Sequence, residues 1–116
     1  MTVKANQDAV AFAKQLIDEG SYAINTQWSK NEPSTSQENK YLDQHDWNDY
    51  AKWYLAVDTD ENEETKERHK FPIGDFRKLH RSGVIAAKQR AAQNHYDDIE
   101  RAADEILDVF DRMNAC

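Results

Sequence analysis

The chain has 116 residues, a net charge of −7 and only 39% apolar residues, with a mean hydropathy of −1.00. That length predicts one domain, residues 1–116, with one modest core. No apolar run is long enough to cross a membrane and no signal-peptide core opens the chain, so no membrane partner and a cytoplasmic location are expected.

Leu, Ile, Val and Phe make up less than a fifth of the chain, near the level of roughly 20% at which disorder sets in. Three Trp and five Tyr must therefore supply much of the buried area. The lone cysteine is the last residue, Cys116. It has no disulfide partner, and a terminal thiol reads as incidental rather than nucleophilic.

In chain order, Val10, Ala13, Leu16 and Ile17 recur at helical spacing, which predicts a first helix over residues 4–19 closed by Gly20. Tyr22–Gln27 alternates weakly and reads as a short strand. Residues 29–40 contain Pro33 among Ser, Thr and Asn and offer almost nothing to bury, so a loose polar connection is expected. Thr35 and Glu38 have capping-box spacing, which would allow a helical turn there.

Residues 45–58 hold the densest aromatic content. Trp47, Tyr50, Ala51 and Tyr54 are spaced as a helix face, whereas Trp53, Leu55 and Val57 are spaced as a strand. The expectation is a short helix started by Asp46 that passes into a strand over Lys52–Val57. Its rings are assigned to the core rather than to ligand stacking, because few other large residues exist to build one.

Asp58, Asp60 and Asn62 match the first ligand positions of a calcium-binding loop. The match then fails, with Glu63 where Gly is needed and His69 where a bidentate Glu is needed. A charged turn is expected instead, with Glu64 and Arg68 in favourable i,i+4 order. His69–Ile73 should be extended, since a residue before proline is pushed toward the β region, and Pro72 belongs on a sheet edge.

Gly74-Asp75 makes the turn, and Ser82 is the expected cap of a helix over residues 83–93 with the small face Val84, Ala87 and Ala91. A last helix over residues 97–113 carries Ile99, Ala102, Ala103, Ile106, Val109, Phe110 and Met113 on one stripe. The sum is an α+β fold, mostly helical, with about three main helices and a small two- or three-stranded sheet.

Enzyme motifs are missing: there is no glycine-rich phosphate loop, no cysteine pair, and no i,i+4 pair among His45, His69, His80 and His95. No catalytic residue, metal ligand or cofactor is therefore assigned. Charge, however, is uneven. Lys66–Arg90 holds eight basic residues against two acidic ones, a net +6, which leaves −13 for the remainder.

Arg77, Lys78, Arg81 and Ser82, with Lys70 and His80 nearby, stand just before a helix N-terminus, where free amides favour an anion. They form the candidate binding corner, for a phosphate or an acidic partner segment. The competing explanation is that these bases face the seven acids between Asp97 and Asp111. Phe71, Pro72, Gly74 and Asp75 are assigned a structural role.

The order Val57-Asp58, an acidic turn, Lys70-Phe71-Pro72-Ile73-Gly74-Asp75, His80-Arg81 and an alanine-rich helix resembles small bacterial and prophage proteins. Their pattern is Lys-[Phe/Tyr]-Pro-x-Gly-Asp followed by His-Arg. A looser version is similar to part of phage head-maturation protease-related proteins. The resemblance covers about half the chain and implies no catalytic residue. It suggests an accessory or structural protein of a mobile element.

The functional expectation is thus a non-enzymatic acidic interaction protein whose partner is another protein. The alternatives are an anion or nucleic-acid binder acting through Arg77, Lys78 and Arg81, and a nucleic-acid-mimicking inhibitor acting through the acidic surface.

Overall fold

A computed structural model describes residues 2–113, so Cys116 lies outside the described residues. In chain order the elements are β1 (Val3–Ala5), α1 (Gln7–Asp18), β2 (Tyr22–Ala23), α2 (Trp28–Asn31), α3 (Thr35–Gln44), α4 (Trp47–Ala51), β3 (Tyr54–Asp58), β4 (His69–Pro72), β5 (Leu79–His80), α5 (Arg81–Gln93) and α6 (Asp97–Met113). A 3-10 turn over Lys66–Arg68 precedes β4. The fold is α+β, with six α-helices among the described residues where three main ones were expected.

Strand β3 is the centre of the molecule. It pairs antiparallel with β1 on one side and β4 on the other, giving the order β1-β3-β4. Tyr54, Leu55 and Ala56 are all buried, because helices cover one face of the strand and an aromatic cluster the other. Pro72 lies at the end of β4, on a sheet edge, where its missing N–H costs no ladder bond.

Two strand expectations are corrected. The first helix does not start at residue 4, because Val3–Ala5 instead pair with Ala56–Asp58. Asn6 makes the break: its side-chain amide donates to the carbonyls of Ala51 and Tyr54, and α1 begins at the next residue. The strand expected over Tyr22–Gln27 is only Tyr22–Ala23, and it lies outside the main sheet, parallel to Leu79–His80.

The polar connection expected over residues 29–40 is largely helical. Ser34 caps α3 by accepting from the Gln37 amide, and the Gln37 side chain accepts in return from the Ser34 amide. The capping box thus lies one residue before the expected Thr35/Glu38 pair. Glu38 is released to accept from the Tyr54 hydroxyl at 3.2 Å and to pair with Lys66 at 3.5 Å. α3 buries no residue fully, so local capping and these polar contacts hold it.

Helices α5 and α6 form an antiparallel hairpin. Val84, Ala87 and Ala91 meet Ile99, Ala102, Ala103, Ile106 and Phe110, as the small-residue face predicts. Met113 is 42% exposed and falls off the stripe. His95 closes α5 in the left-handed conformation (φ 60°), with the His95 and Tyr96 amides donating to the Ala92 and Ala91 carbonyls. Gly20 (φ 78°) closes α1 in the same way, through amides that reach the Ile17 and Leu16 carbonyls.

Phe71 departs from the extended conformation expected before proline, with φ of 61°. Its neighbours keep the β3–β4 register, from Val57↔His69 to Tyr54↔Pro72, so the turn is local. In that conformation the Phe71 ring meets Tyr96 edge-on at 6.2 Å, joining the sheet edge to the α5–α6 connection.

The expected cap Ser82 lies inside α5, because the helix begins two residues earlier than expected, at Arg81, and His80 takes the capping position. Glu64 and Arg68 form no ion pair. The Arg68 guanidinium donates instead to the Glu61 carbonyl at 3.0 Å.

Candidate binding site

The Gly74–Ser82 segment is a tight loop organised by one carboxylate. Asp75 Oδ1 accepts from the Arg77 and Lys78 amides at 3.0 and 2.8 Å, and the Asp75 amide donates back to the Lys78 carbonyl. Gly74 is required here, since a Cβ would lie 2.5 Å from the Trp53 ring and 2.6 Å from the Lys78 carbonyl oxygen. Phe76, at φ 68°, turns its ring inward to stack on Tyr41 at 4.6 Å and Tyr50 at 5.7 Å.

The other oxygen, Asp75 Oδ2, lies 2.9 Å from His80 Nε2. His80 Nδ1 lies 2.8 Å from Thr26 Oγ1, which is 3.2 Å from Ser82 Oγ. With a proton on Nε2, facing the carboxylate, and none on Nδ1, the ring accepts from the Thr26 hydroxyl at Nδ1. Burial alone would raise the Asp75 pKa. The hydrogen bonds from His80 and from the Lys78 and Arg77 amides outweigh it and hold the pKa below the ordinary aspartate value.

Carboxylate, imidazole and hydroxyl follow one another as in a nucleophile-activating relay. Yet His80 is 3% exposed, and neither His80, Thr26 nor Ser82 lines either of the two large clefts described below. The chain of bonds satisfies a buried histidine and ties the segment after β2 to the start of α5.

The corner expected around Arg77, Lys78 and Arg81 is therefore dispersed. Arg81 reaches Asp111 of α6 at 3.5 Å, and Lys88 reaches Asp104 at 2.6 Å, so part of the basic window does face the acidic helix. Ser82 is engaged by Thr26, and Trp28 packs its ring on Gly83 in the first turn of α5. Lys70 stands on β4 opposite Ala56, and the Lys78 side chain is exposed. Arg77 alone of the group lines a cleft.

That cleft, of about 400 Å³, lies between α3 and the 74–79 loop and is lined by Lys40, Tyr41, His45, Asp75, Phe76 and Arg77, together with Gln37 and Gln44. Three rings form a column. Tyr41 is sandwiched between Phe76 and His45, with His45 at 4.0 Å and an interplanar angle of 10°. His45 is exposed at the outer end. Lys40 and Arg77 form no ion pair among the described residues, while the Asp75 charge is spent on the loop amides and His80.

Behind the column the Tyr41 hydroxyl accepts from the Trp53 indole N–H at 3.2 Å, and burial raises the Tyr41 pKa. Deeper still the Tyr50 and Tyr54 hydroxyls are 2.8 Å apart. Since the single Tyr54 proton goes to Glu38, Tyr50 donates to Tyr54. Burial pushes Tyr50 up to about 12, and Tyr54 higher. These phenols stay neutral and anchor α3 to the sheet.

Lys40 falls in the stretch read as a loop, and Tyr41 and His45, just beyond it, are given no binding role by the sequence. The signal that finds them is the Ser34-x-x-Gln37 box, which starts a helix and puts Tyr41 and His45 four apart on one face.

Among the described residues no group of His, Cys, Asp or Glu side chains is arranged to hold a metal ion, and no helix is long and apolar enough to cross a membrane. Among the described residues the exposed large apolar side chains are Ile24 and Met113. Comparison with protein-family models, with curated proteins and with solved structures finds no match for this chain.

Proposed function

We propose that this is a small non-enzymatic binding protein whose cleft between α3 and the 74–79 loop receives a flat anion of nucleotide size. The observation that carries this is the column His45–Tyr41–Phe76, which ends in an exposed ring. The same cleft holds Lys40 and Arg77, two cations that form no ion pair among the described residues, and Asp75, whose oxygens accept from the loop amides and lie on His80. A planar group would extend the column on His45, where stacking of a base is worth about 1–3 kcal/mol. Its phosphate or carboxylate would meet the two cations.

The size of the cleft suits a small ligand. The net charge of −7 disfavours a long polyanion, so a single nucleotide-sized group fits better than a strand. The resemblance to prophage proteins would make the protein a mobile-element accessory factor, with the flat anion free or carried on a partner. Imitation of nucleic acid by α6 has less support, since Asp98, Asp104, Glu105 and Asp111 are engaged by Ala5, Lys88, Lys14 and Arg81.

The test is an NMR titration of the intact protein with adenosine monophosphate at low salt. Shifts are expected at Tyr41, His45 and Arg77, and His45→Ala or Arg77→Ala should weaken binding by about tenfold each, roughly 1.4 kcal/mol. Affinity should fall as salt is added. Absence of shifts at millimolar nucleotide would remove the proposal.

A further inference from the structure

The cleft between α3 and the 74–79 loop has two ends of opposite charge. Lys40 precedes Tyr41 in the chain and Arg77 follows Phe76, so both cations stand by the inner rings of the column. The outer ring is different. His45 Nδ1 lies 3.4 Å from Asp49 Oδ2, and the next residue is Asp46. Asp46 spends only one oxygen, on the Asp49 amide. Lys52 reaches Asp49 at 3.8 Å and offsets part of this charge. Past the corner lies the second large cleft, also of about 400 Å³, where Asp8, Glu63 and Glu64 join Asp46 against one guanidinium, that of Arg68. An anion in the first cleft is therefore drawn toward Lys40 and Arg77, and a hydrogen-bond donor toward the His45 end.

The second observation is Gln44. Gln37, Lys40, Tyr41 and Gln44 share one face of α3, and all four line the cleft. The Gln37 side-chain carbonyl is taken by the Ser34 amide at 2.8 Å. The Gln44 amide makes no hydrogen bond among the described residues. It adjoins His45, the ring on which a base would stack, and it offers both an acceptor and a donor.

We infer that the His45 end of this cleft reads an adenine, and that Gln44 sets the choice. The inference rests on the nucleotide reading of the cleft and adds its specificity and orientation. Adenine presents an amine donor beside a ring-nitrogen acceptor, a pattern that a side-chain amide matches with two hydrogen bonds, whereas guanine presents two acceptors there. The exocyclic amine would face the acidic corner of Asp46 and Asp49, which repels a carbonyl oxygen in the same place. A purine also covers more of the imidazole than a pyrimidine does, which favours adenine over cytosine. The phosphate would lie back along the column, between Lys40 and Arg77.

The experiment is a ¹H–¹⁵N NMR titration of the full chain with adenosine monophosphate and with inosine monophosphate, which has the same phosphate and nearly the same size but a carbonyl in place of the amine. The adenine nucleotide should bind about tenfold more tightly and shift the Gln44 side-chain amide. Gln44→Leu, at an exposed position, should bring the adenine nucleotide to the inosine level. Inorganic phosphate alone should shift Arg77 and leave the Gln44 side chain unmoved. Equal binding of the two nucleotides, or a preference that survives Gln44→Leu, overturns the inference and leaves the anion cleft standing. Failure of both nucleotides to bind removes the cleft reading and this inference with it.

Discussion

Single residues carry most of the unusual physics of this protein, and His69 and Asp75 do so with opposite logic. Asp75 is a half-buried carboxylate whose every oxygen is used, and its lowered pKa is a stabilising contribution. That contribution is present above the ordinary aspartate pKa of about 3.9 and is lost as pH falls through the lowered native value. His69 is a buried base whose ring nitrogens have no well-formed hydrogen bond among the described residues, and burial, only partly offset by the Glu63 carbonyl, lowers its pKa as well. Its unfolded form takes up a proton near pH 6.5 while the native form resists, so stability is full above about 6.5 and falls as the solution is acidified below it.

Replacing His69 by Phe removes both the orphan nitrogens and the titration. The variant should be more stable by about 1 kcal/mol at neutral pH and should lose less stability between pH 7.5 and 5.5 than the parent. Urea unfolding at the two pH values checks this. A parallel pH dependence in the two proteins would show that His69 does not titrate on unfolding.

Elements are held here more by their ends than by their lengths. α3 exists because Ser34 and Gln37 satisfy its first turn, while its sides remain largely in water. Ser34→Ala should cost about 1 kcal/mol of that local stability, visible as faster amide exchange in residues 35–44. The end of α5 shows the converse. His95 occupies a left-handed position that disfavours any side chain, and it is exposed. His95→Gly should stabilise the α5–α6 hairpin by about 1 kcal/mol, read as a rise in the thermal midpoint. A fall would mean that the imidazole makes a contact worth more than the backbone strain.

At the scale of the whole molecule, stability rests on a small core drawn from distant parts of the chain. α1, β3, α5 and α6 meet around Ile17, Leu55, Val84, Ile99, Ile106 and Phe110, while Phe76 closes the aromatic side. With so few large aliphatic residues, alanines set the spacing of the helices. Ala103 is fully buried. Ala103→Leu should force α6 off its neighbours and cost about 1–3 kcal/mol, whereas Glu105→Leu, on the exposed side, should cost little. Equal effects in denaturant unfolding would argue against close packing at the hairpin.

Local order was legible in the sequence wherever a short-range signal decides the outcome. The 3.6-residue stripe of α6, the small face of α5, Gly20 after α1 and Asp46 before α4 were all readable, because each acts within one or two helical turns. What the sequence alone could not decide was long-range pairing and charge balance. Val3–Ala5 becomes a strand only because β3 offers an open edge, and Tyr22–Ala23 pairs with Leu79–His80 from far along the chain.

The basic window shows the same division. Its composition was determined by the sequence, yet only the tertiary structure could send Arg81 and Lys88 to α6, bury His80 on Asp75 and leave Arg77 beside a column of rings on a helix that composition had concealed. The physical reason is that capping and periodicity are local properties of the backbone. Which charges are neutralised, and which rings and imidazoles are left without a partner, depends on segments brought together only by burial of the core.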